Sequence, residues 1–143
     1  MIHAELNPDS FTLSHAEMGD DAFRQGRRSF LLARDLKIGE ATGGKFGINH
    51  NRLTGAITST GWHYHPVGLQ IIYVLKGWID LAFEDGRIIR IEEGGCMNIP
   101  PGMIHNEVAT SDGMDVLEIS MPAKITTVNV PAPAGMPESY ATV

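Results

Sequence analysis

The sequence predicts an all-β protein, a small antiparallel barrel, and three observations support this class. Apolar and polar side chains alternate over short stretches of residues 61–105. Turn residues separate these stretches, among them Gly77, Asp85–Gly86 and Gly94–Gly95. Sixteen glycines and eight prolines in 143 residues favour many turns over long helices. We therefore expect short strands joined by tight turns around one core.

Length and composition predict one domain, residues 1–143, that is long enough to bury a core. The net charge is −6 and the largest basic cluster is Arg27–Arg28, which argues against nucleic acid as a partner. A single cysteine, Cys96, excludes an intramolecular disulfide. There is no secretory leader pattern and no apolar run of membrane-spanning length. We expect a cytoplasmic protein that makes no membrane contact.

Taken in order, the chain begins with a weakly patterned extension, residues 1–28. There Ser14 and Glu17 have the spacing of a capping box, and Gly19 limits the helix that would follow to about one turn. Strands are then predicted over residues 29–33, 45–53, 70–75, 78–83, 88–91, 97–99, 104–109 and 114–121. The last two are expected to pair across residues 110–113. Residues 122–143 contain four of the eight prolines and form an extended arm.

Alternation is clearest in residues 78–83, where Ile79, Leu81 and Phe83 share one face of the predicted strand. The sequence Glu84 to Arg87 that follows contains the Asp-Gly pair typical of a tight hairpin turn. We expect the three apolar side chains to face the core.

Three histidines flank the patterned stretch. His63 and His65 are one residue apart, so their side chains point to the same face of a strand. His105 comes just after the turn Pro100–Gly102. Two imidazoles on one face, joined by a third from a distant strand, are typical of a transition-metal site.

Two spaced motifs carry a resemblance to a known family. The first is a histidine pair followed by a polar residue and a glycine: His63, His65, Gln70 and Gly77. The second is a glycine, a Pro-x-Gly turn and a histidine: Gly94, Pro100–Gly102 and His105. Together they resemble the cupin superfamily, specifically its small single-barrel members. The resemblance implies a double-stranded β-helix, or jelly roll, with its motif core at residues 61–109.

The resemblance implies one divalent transition-metal ion per chain (Fe, Ni, Zn, Co or Mn), bound by His63, His65, Gln70 and His105. At two positions where the family motifs have a glycine and an asparagine, this sequence has Ile57 and Ala109. These departures do not affect the ligands. The main departure is Gln70, where the family has glutamate. Gln70 either ligates through its carbonyl oxygen or hydrogen-bonds a metal-bound water. Because it is neutral, the ion keeps more positive charge and favours anionic ligands.

Four further residues are candidates beside the metal ligands, and Glu107 is the best of them for a catalytic role. Glu107 shares the face of His105 in a regular strand, where it is either a general base or a carboxylate supporting the ligands, or else a rim carboxylate in solvent. His50 either lines the cavity or is a half-exposed strand histidine bonded to nearby backbone. The facing of Tyr73 and Glu118 is not settled by the pattern.

The predicted function is that of a metal-dependent enzyme acting on a small oxygen-rich or anionic organic molecule. Dioxygen-dependent cleavage is the leading reaction, with isomerase and lyase chemistry also known among cupins. The alternative is a non-catalytic, metal-dependent module that binds or senses a small molecule. A purely structural barrel would leave three histidines without a role. Cupins of this size are often dimers, and barrel edge strands are usually covered, so we expect a homodimer.

Overall fold

A computed structural model describes residues 6–140 of the protein. Within this range one helical turn, α1 (Ile38–Ala41), and two 3₁₀ turns, Pro8–Ser10 and Asp20–Ala22, accompany eleven β-strands. The strands are β1 (Arg24–Gln25), β2 (Leu31–Asp35), β3 (Gly47–Leu53), β4 (His63–Tyr64), β5 (Leu69–Lys76), β6 (Trp78–Phe83), β7 (Ile88–Glu92), β8 (Cys96–Asn98), β9 (His105–Thr110), β10 (Asp115–Met121) and β11 (Val128–Asn129).

The strands form two antiparallel sheets. The six-stranded sheet has the order β1-β2-β3-β10-β5-β8, and the five-stranded sheet has the order β11-β4-β9-β6-β7. Apart from the hairpins β1–β2–β3 and β6–β7, each connection carries the chain from one sheet to the other. This confirms the predicted all-β class and agrees with the jelly-roll architecture.

The predicted pairing of the last two long strands is wrong. β9 pairs with β4 and β6, whereas β10 lies between β3 and β5 in the other sheet. The segment between them does not close into a hairpin: Ser111 N donates to Trp78 O (3.0 Å) and Gly113 N to Gly55 O (3.3 Å). These bonds to distant residues turn the chain towards the opposite sheet.

The main core lies between the two sheets. The inward residues of β6, Ile79, Leu81 and Phe83, are all buried, which confirms the predicted face. They pack against Ile72 and Val74 of β5 and against Val116 of β10. Because side chains alternate along a strand, Gln70 on β5 and Glu118 on β10 share the inward face of these core positions, and both line the cavity.

The N-terminal segment differs from the prediction. Residues 11–18 form no helix, and Ser14 Oγ donates to Lys37 O (3.0 Å) instead of capping one. The strand expected over residues 29–33 begins at Leu31 and continues to Asp35. Its registry with β3 brings Arg27 and Arg28, just before it, to the barrel opening.

The C-terminal arm folds back over the outer face of the five-stranded sheet. β11 pairs with β4, and the Trp62 indole N–H donates to Pro137 O (2.8 Å). Val130, Met136 and Tyr140 pack on the second apolar cluster, which contains buried Trp62. The described part of the arm therefore packs against the barrel of its own chain. Over residues 6–140, no helix is long and apolar enough to cross a membrane.

Candidate metal centre

The structure brings the three predicted histidines together. His63 in β4 is the register partner of His105 in β9, and His65 follows directly after β4. Their ring centroids are 4.5 Å (His63–His105), 5.1 Å (His63–His65) and 5.5 Å (His65–His105) apart. One nitrogen of each ring lies within 4.8 Å of the corresponding nitrogen of the others. All three side chains are buried.

Each imidazole is oriented by a backbone carbonyl. The Nδ1 atoms of His63, His65 and His105 lie 2.8, 2.9 and 2.9 Å from the carbonyl oxygens of Gly61, Thr126 and Met103, respectively. A carbonyl can only accept, so every Nδ1 carries the hydrogen. In the neutral ring the lone pair is then on Nε2.

This tautomer fits a bound metal ion. Metal-ligating histidines typically donate their other ring N–H to a carbonyl or carboxylate, as all three do here. His105 Nε2 is buried and has no hydrogen-bond partner among residues 6–140, a situation that is costly for a polar atom unless a further group binds it. The donor set, three inward-facing imidazole nitrogens, suits Zn, Fe, Co, Ni or Cu.

Sequence reasoning identified none of the three carbonyls. Gly61 and Met103 each precede their histidine by two residues, whereas Thr126 belongs to the C-terminal arm. A backbone carbonyl has no side-chain signature, so the arm gave no signal of this role.

Glu107 also reaches the triad. Its Oε2 lies 3.4 Å from His63 Nε2 and its Oε1 lies 3.8 Å from His105 Nε2. Thr60 Oγ1 donates to Oε2 and accepts from the backbone N–H of Glu107 (3.1 Å). The side chain is 21% exposed and lines the cavity. Glu107 therefore points into the cavity beside the triad and not into solvent at the rim.

The charges of this group shift its pKa values. Burial alone would raise the pKa of Glu107, but the hydrogen bond from His63 and the charges of both imidazoles hold it well below its ordinary value. Burial lowers the pKa of His65 and of His105. It also acts to lower that of His63, yet the hydrogen bond and charge of Glu107 raise it overall. A lowered pKa favours the neutral imidazole that ligation requires at His65 and His105.

Gln70 lies in the same cavity and is held by Glu118. Its Nε2 donates to Glu118 Oε2 (3.3 Å), and both side chains are buried. Because a carboxylate accepts, the amide nitrogen must be on the Glu118 side, which leaves the carbonyl oxygen as the free end. Glu118 also accepts from Arg27 (2.9 Å) and Asn51 (3.3 Å), so its role is to anchor polar side chains at the barrel opening.

His50 and Tyr73 lie outside the cavity. His50 is on the outer face of the six-stranded sheet, where its ring contacts Phe23 (4.9 Å between centroids) and its Nε2 is 3.5 Å from Asp115 Oδ1. It contacts side chains, including Arg34, rather than the nearby backbone that we expected. Tyr73 is exposed on the same outer face.

The cavity has a volume of ≈ 90 Å³ and two chemically distinct parts. His63, His65, Gln70, Glu107 and Glu118 form its polar part, and core side chains such as Ile72, Leu81 and Val116 form the apolar wall. Arg27 and Arg28 lie at its edge. Arg27 is paired with Glu118 (2.9 Å), whereas Arg28 forms no ion pair within residues 6–140.

Comparison with known proteins agrees with this fold. Residues 54–120 match a family model described as a cupin domain, and the two-sheet barrel agrees with that match. The predicted resemblance is confirmed. No curated protein sequence matches the chain.

Solved structures with the same fold have diverse activities. The polyketide cyclase RemF from Streptomyces resistomycificus is 24% identical with a TM-score of 0.58, and the match covers 71% of each chain. KdgF from Halomonas sp. is 19% identical with a TM-score of 0.63, covering 79% of this chain and 96% of KdgF. A salicylate 1,2-dioxygenase from Pseudaminobacter salicylatoxidans is 16% identical with a TM-score of 0.56, covering 71% of this chain but 31% of the dioxygenase. Such low identities show a shared fold alone.

Proposed function

We propose that this protein is a metal-dependent enzyme that acts on a small anionic or oxygen-rich organic molecule. The observation that supports it most directly is the convergence of three buried imidazoles, each with Nδ1 bonded to a carbonyl and Nε2 directed at the others. A structural barrel gains nothing from this arrangement, because a buried imidazole nitrogen without a partner, such as His105 Nε2, costs stability.

His63, His65 and His105 would hold one divalent transition-metal ion, with the Gln70 carbonyl oxygen as a further donor. When bound, such an ion supplies Lewis acidity and, if it is redox-active, the activation of dioxygen. Imidazole donors suit Fe, Co, Ni and Zn, and the amide oxygen of Gln70 also suits Mn, so the donor set leaves several candidate metals. The chain's own contribution is to orient the imidazoles, exclude bulk water with the apolar wall and place a carboxylate, Glu107, beside the reacting group.

Two features support an anionic substrate. Gln70 is neutral where the family has glutamate, so the first motif contributes no negative charge to the site. Arg28 lies at the cavity edge with no carboxylate partner in the described part of the chain, and a guanidinium binds carboxylates in a bidentate manner. A solved structure of a salicylate 1,2-dioxygenase mutant in complex with gentisate supports dioxygen-dependent cleavage as the leading reaction.

We also infer that the chain works as a single-domain homodimer in the cytoplasm. Tyr73 and Leu75 are exposed side by side on the outer face of β5, and an apolar surface of this kind favours association. Light scattering of the purified protein measures the mass directly.

Metal analysis and oxygen uptake test the proposed function. We expect about one transition-metal ion per chain in gently purified protein, and oxygen consumption when the Fe(II)-loaded protein meets a set of catechols, hydroxybenzoates, diketones and flavonols. The Zn(II)-loaded protein, which is not redox-active, is the control and should consume none. Metal and ligand binding without turnover would favour the non-catalytic binding module. Protein that is free of metal and refuses added metal would overturn both functions.

A further inference from the structure

We propose that Glu107 is a direct ligand of the metal and supplies the carboxylate that the first motif lacks at Gln70. This inference depends on the proposed metal binding and goes beyond it, because the carboxylate comes from β9, two residues after the third histidine, instead of from β5.

The distances from Glu107 to the histidine nitrogens support ligation of the metal by Glu107. Two atoms that each lie about 2.1 Å from a shared ion are about 3.0 Å apart at adjacent octahedral positions and about 3.4 Å apart at tetrahedral ones. The carboxylate oxygens of Glu107 lie 3.4 Å from His63 Nε2 and 3.8 Å from His105 Nε2. The distance from Glu107 to His63 Nε2 therefore equals the separation of two ligand atoms at tetrahedral positions. The distance to His105 Nε2 exceeds that separation by a few tenths of an ångström.

The second buried carboxylate of the cavity is committed elsewhere. Glu118 accepts from Arg27, Asn51 and Gln70, and no contact joins it to the three imidazoles in residues 6–140. A dication bound by neutral donors alone keeps its full charge in a buried site, which is costly. Glu107 is the carboxylate in a position to offset that charge.

Local structure fixes Glu107 in this position. The pairing of β6 with β9 shifts register between Leu81↔Glu107 and Asp80↔Ala109, which leaves Val108 as the extra residue of a bulge. Bulges redirect side chains and are frequent beside functional sites. Thr60 adds two hydrogen bonds, one to the carboxylate and one from the backbone N–H of Glu107. Ligating carboxylates are commonly hydrogen-bonded in this way.

Cobalt titration of four proteins tests the inference: wild type, Glu107→Gln, Glu92→Gln and the double variant Glu107→Gln/Gln70→Glu. Co(II) affinity and the visible absorption of the bound ion are measured on apo protein. We expect Glu107→Gln to bind at least about tenfold more weakly with an altered spectrum, since a charged donor is lost. Glu92→Gln, the matched control at an exposed position of β7 outside the cavity, should stay within about threefold of wild type. The double variant should recover most of the affinity, because Gln70→Glu restores a carboxylate.

The melting temperature separates ligation from a structural role. Mutation of a ligand reduces the rise in melting temperature that Co(II) causes. A purely structural change instead lowers the melting temperature of the apo protein, and Co(II) still raises it by as much as in wild type. If Glu107→Gln does not fold, Glu107→Asp takes its place, with the same expected loss through its shorter reach.

Two negative results have different meanings. Wild-type affinity and spectrum in Glu107→Gln would overturn this inference and leave Glu107 as a general base or supporting group. Absence of Co(II) binding by wild type would instead overturn the proposed metal-dependent function.

Discussion

Gln70 is the residue whose side chain most changes the chemistry that the family pattern implies. Its amide nitrogen donates to Glu118 (3.3 Å), and this bond turns the carbonyl oxygen towards the rest of the cavity. The same bond connects it, through Glu118, to Arg27 at the barrel opening. A neutral amide can bridge a buried carboxylate and a metal site without bringing two negative charges together.

Gln70→Glu therefore has opposite effects on the two forms of the protein. In the apo protein two carboxylates would face each other where a hydrogen bond now lies, so we expect a lower melting temperature. In the metal-bound protein the added charge offsets that of the ion, and Co(II) affinity should rise by at least about tenfold. Gln70→Ala is the control and should lower affinity while the barrel still folds. Equal affinities for all three proteins would show that Gln70 is not a ligand.

At this scale the sequence predicted what spacing can encode. Motif spacing identified His63, His65 and His105, and strand alternation placed Glu107 on the face of His105. It could not identify the Thr126 carbonyl or the Thr60 hydroxyl, since both meet the site across long sequence separations. The outer position of His50 depends on the register of β3 in its sheet, which the local pattern leaves open.

Among the strands, β6 shows how alternation determines burial. Ile79, Leu81 and Phe83 face the core, and Phe83 is also the register partner of His105. Its ring lies 6.2 Å from the imidazole of His105, centroid to centroid. The strand therefore contributes to the core and supports the histidine on its neighbour.

Phe83→Ala tests that strand. The ring is 3% exposed, so its removal should lower the free energy of unfolding by about 3–5 kcal/mol, as measured by urea denaturation. Ile88→Ala on β7 is the control, because Ile88 is 56% exposed and its truncation should cost less than about 0.5 kcal/mol. A loss below about 1 kcal/mol for Phe83→Ala would contradict the observed register.

Strand pairing was predictable where it is local. The hairpin of β6 and β7 was expected from its Asp-Gly turn, and its pairing extends from Trp78↔Glu92 to Ala82↔Ile88. The pairing of β9 with β10 was predicted on the same reasoning and was wrong. Both strands find partners more than thirty residues away, and a short connection between two strands does not reveal whether it stays within one sheet.

Over the whole molecule, the C-terminal arm links the fold to the site. It covers Trp62 on the outer face of the five-stranded sheet and supplies the carbonyl that orients His65. The sequence predicted an extended, proline-rich segment but not its docking, since the apolar residues involved are widely spaced. The expected homodimer stays a prediction at this scale.

Truncation separates the two roles of the arm. Removal of residues 126–143 takes away the Thr126 carbonyl, so Co(II) affinity should fall by about 10–100-fold, the usual cost of losing a group that orients a ligand. Removal of residues 136–143 leaves Thr126 and β11 in place and should change affinity by less than about threefold, although it uncovers part of Trp62. Isothermal titration of both truncated proteins measures the difference. Equal losses would mean that the arm acts through general stability rather than through His65.

The position of Thr126 also sets an order of events during synthesis. Ribosomes add residues from the N-terminus, so His63, His65 and His105 all emerge before the segment that orients His65. The imidazole of His65 stays free to rotate until that segment docks, even where the other two histidines are already held by their own carbonyls. The proposed metal would then reach its final affinity only after β11 has docked beside β4, which makes metal capture a late step in the maturation of the protein.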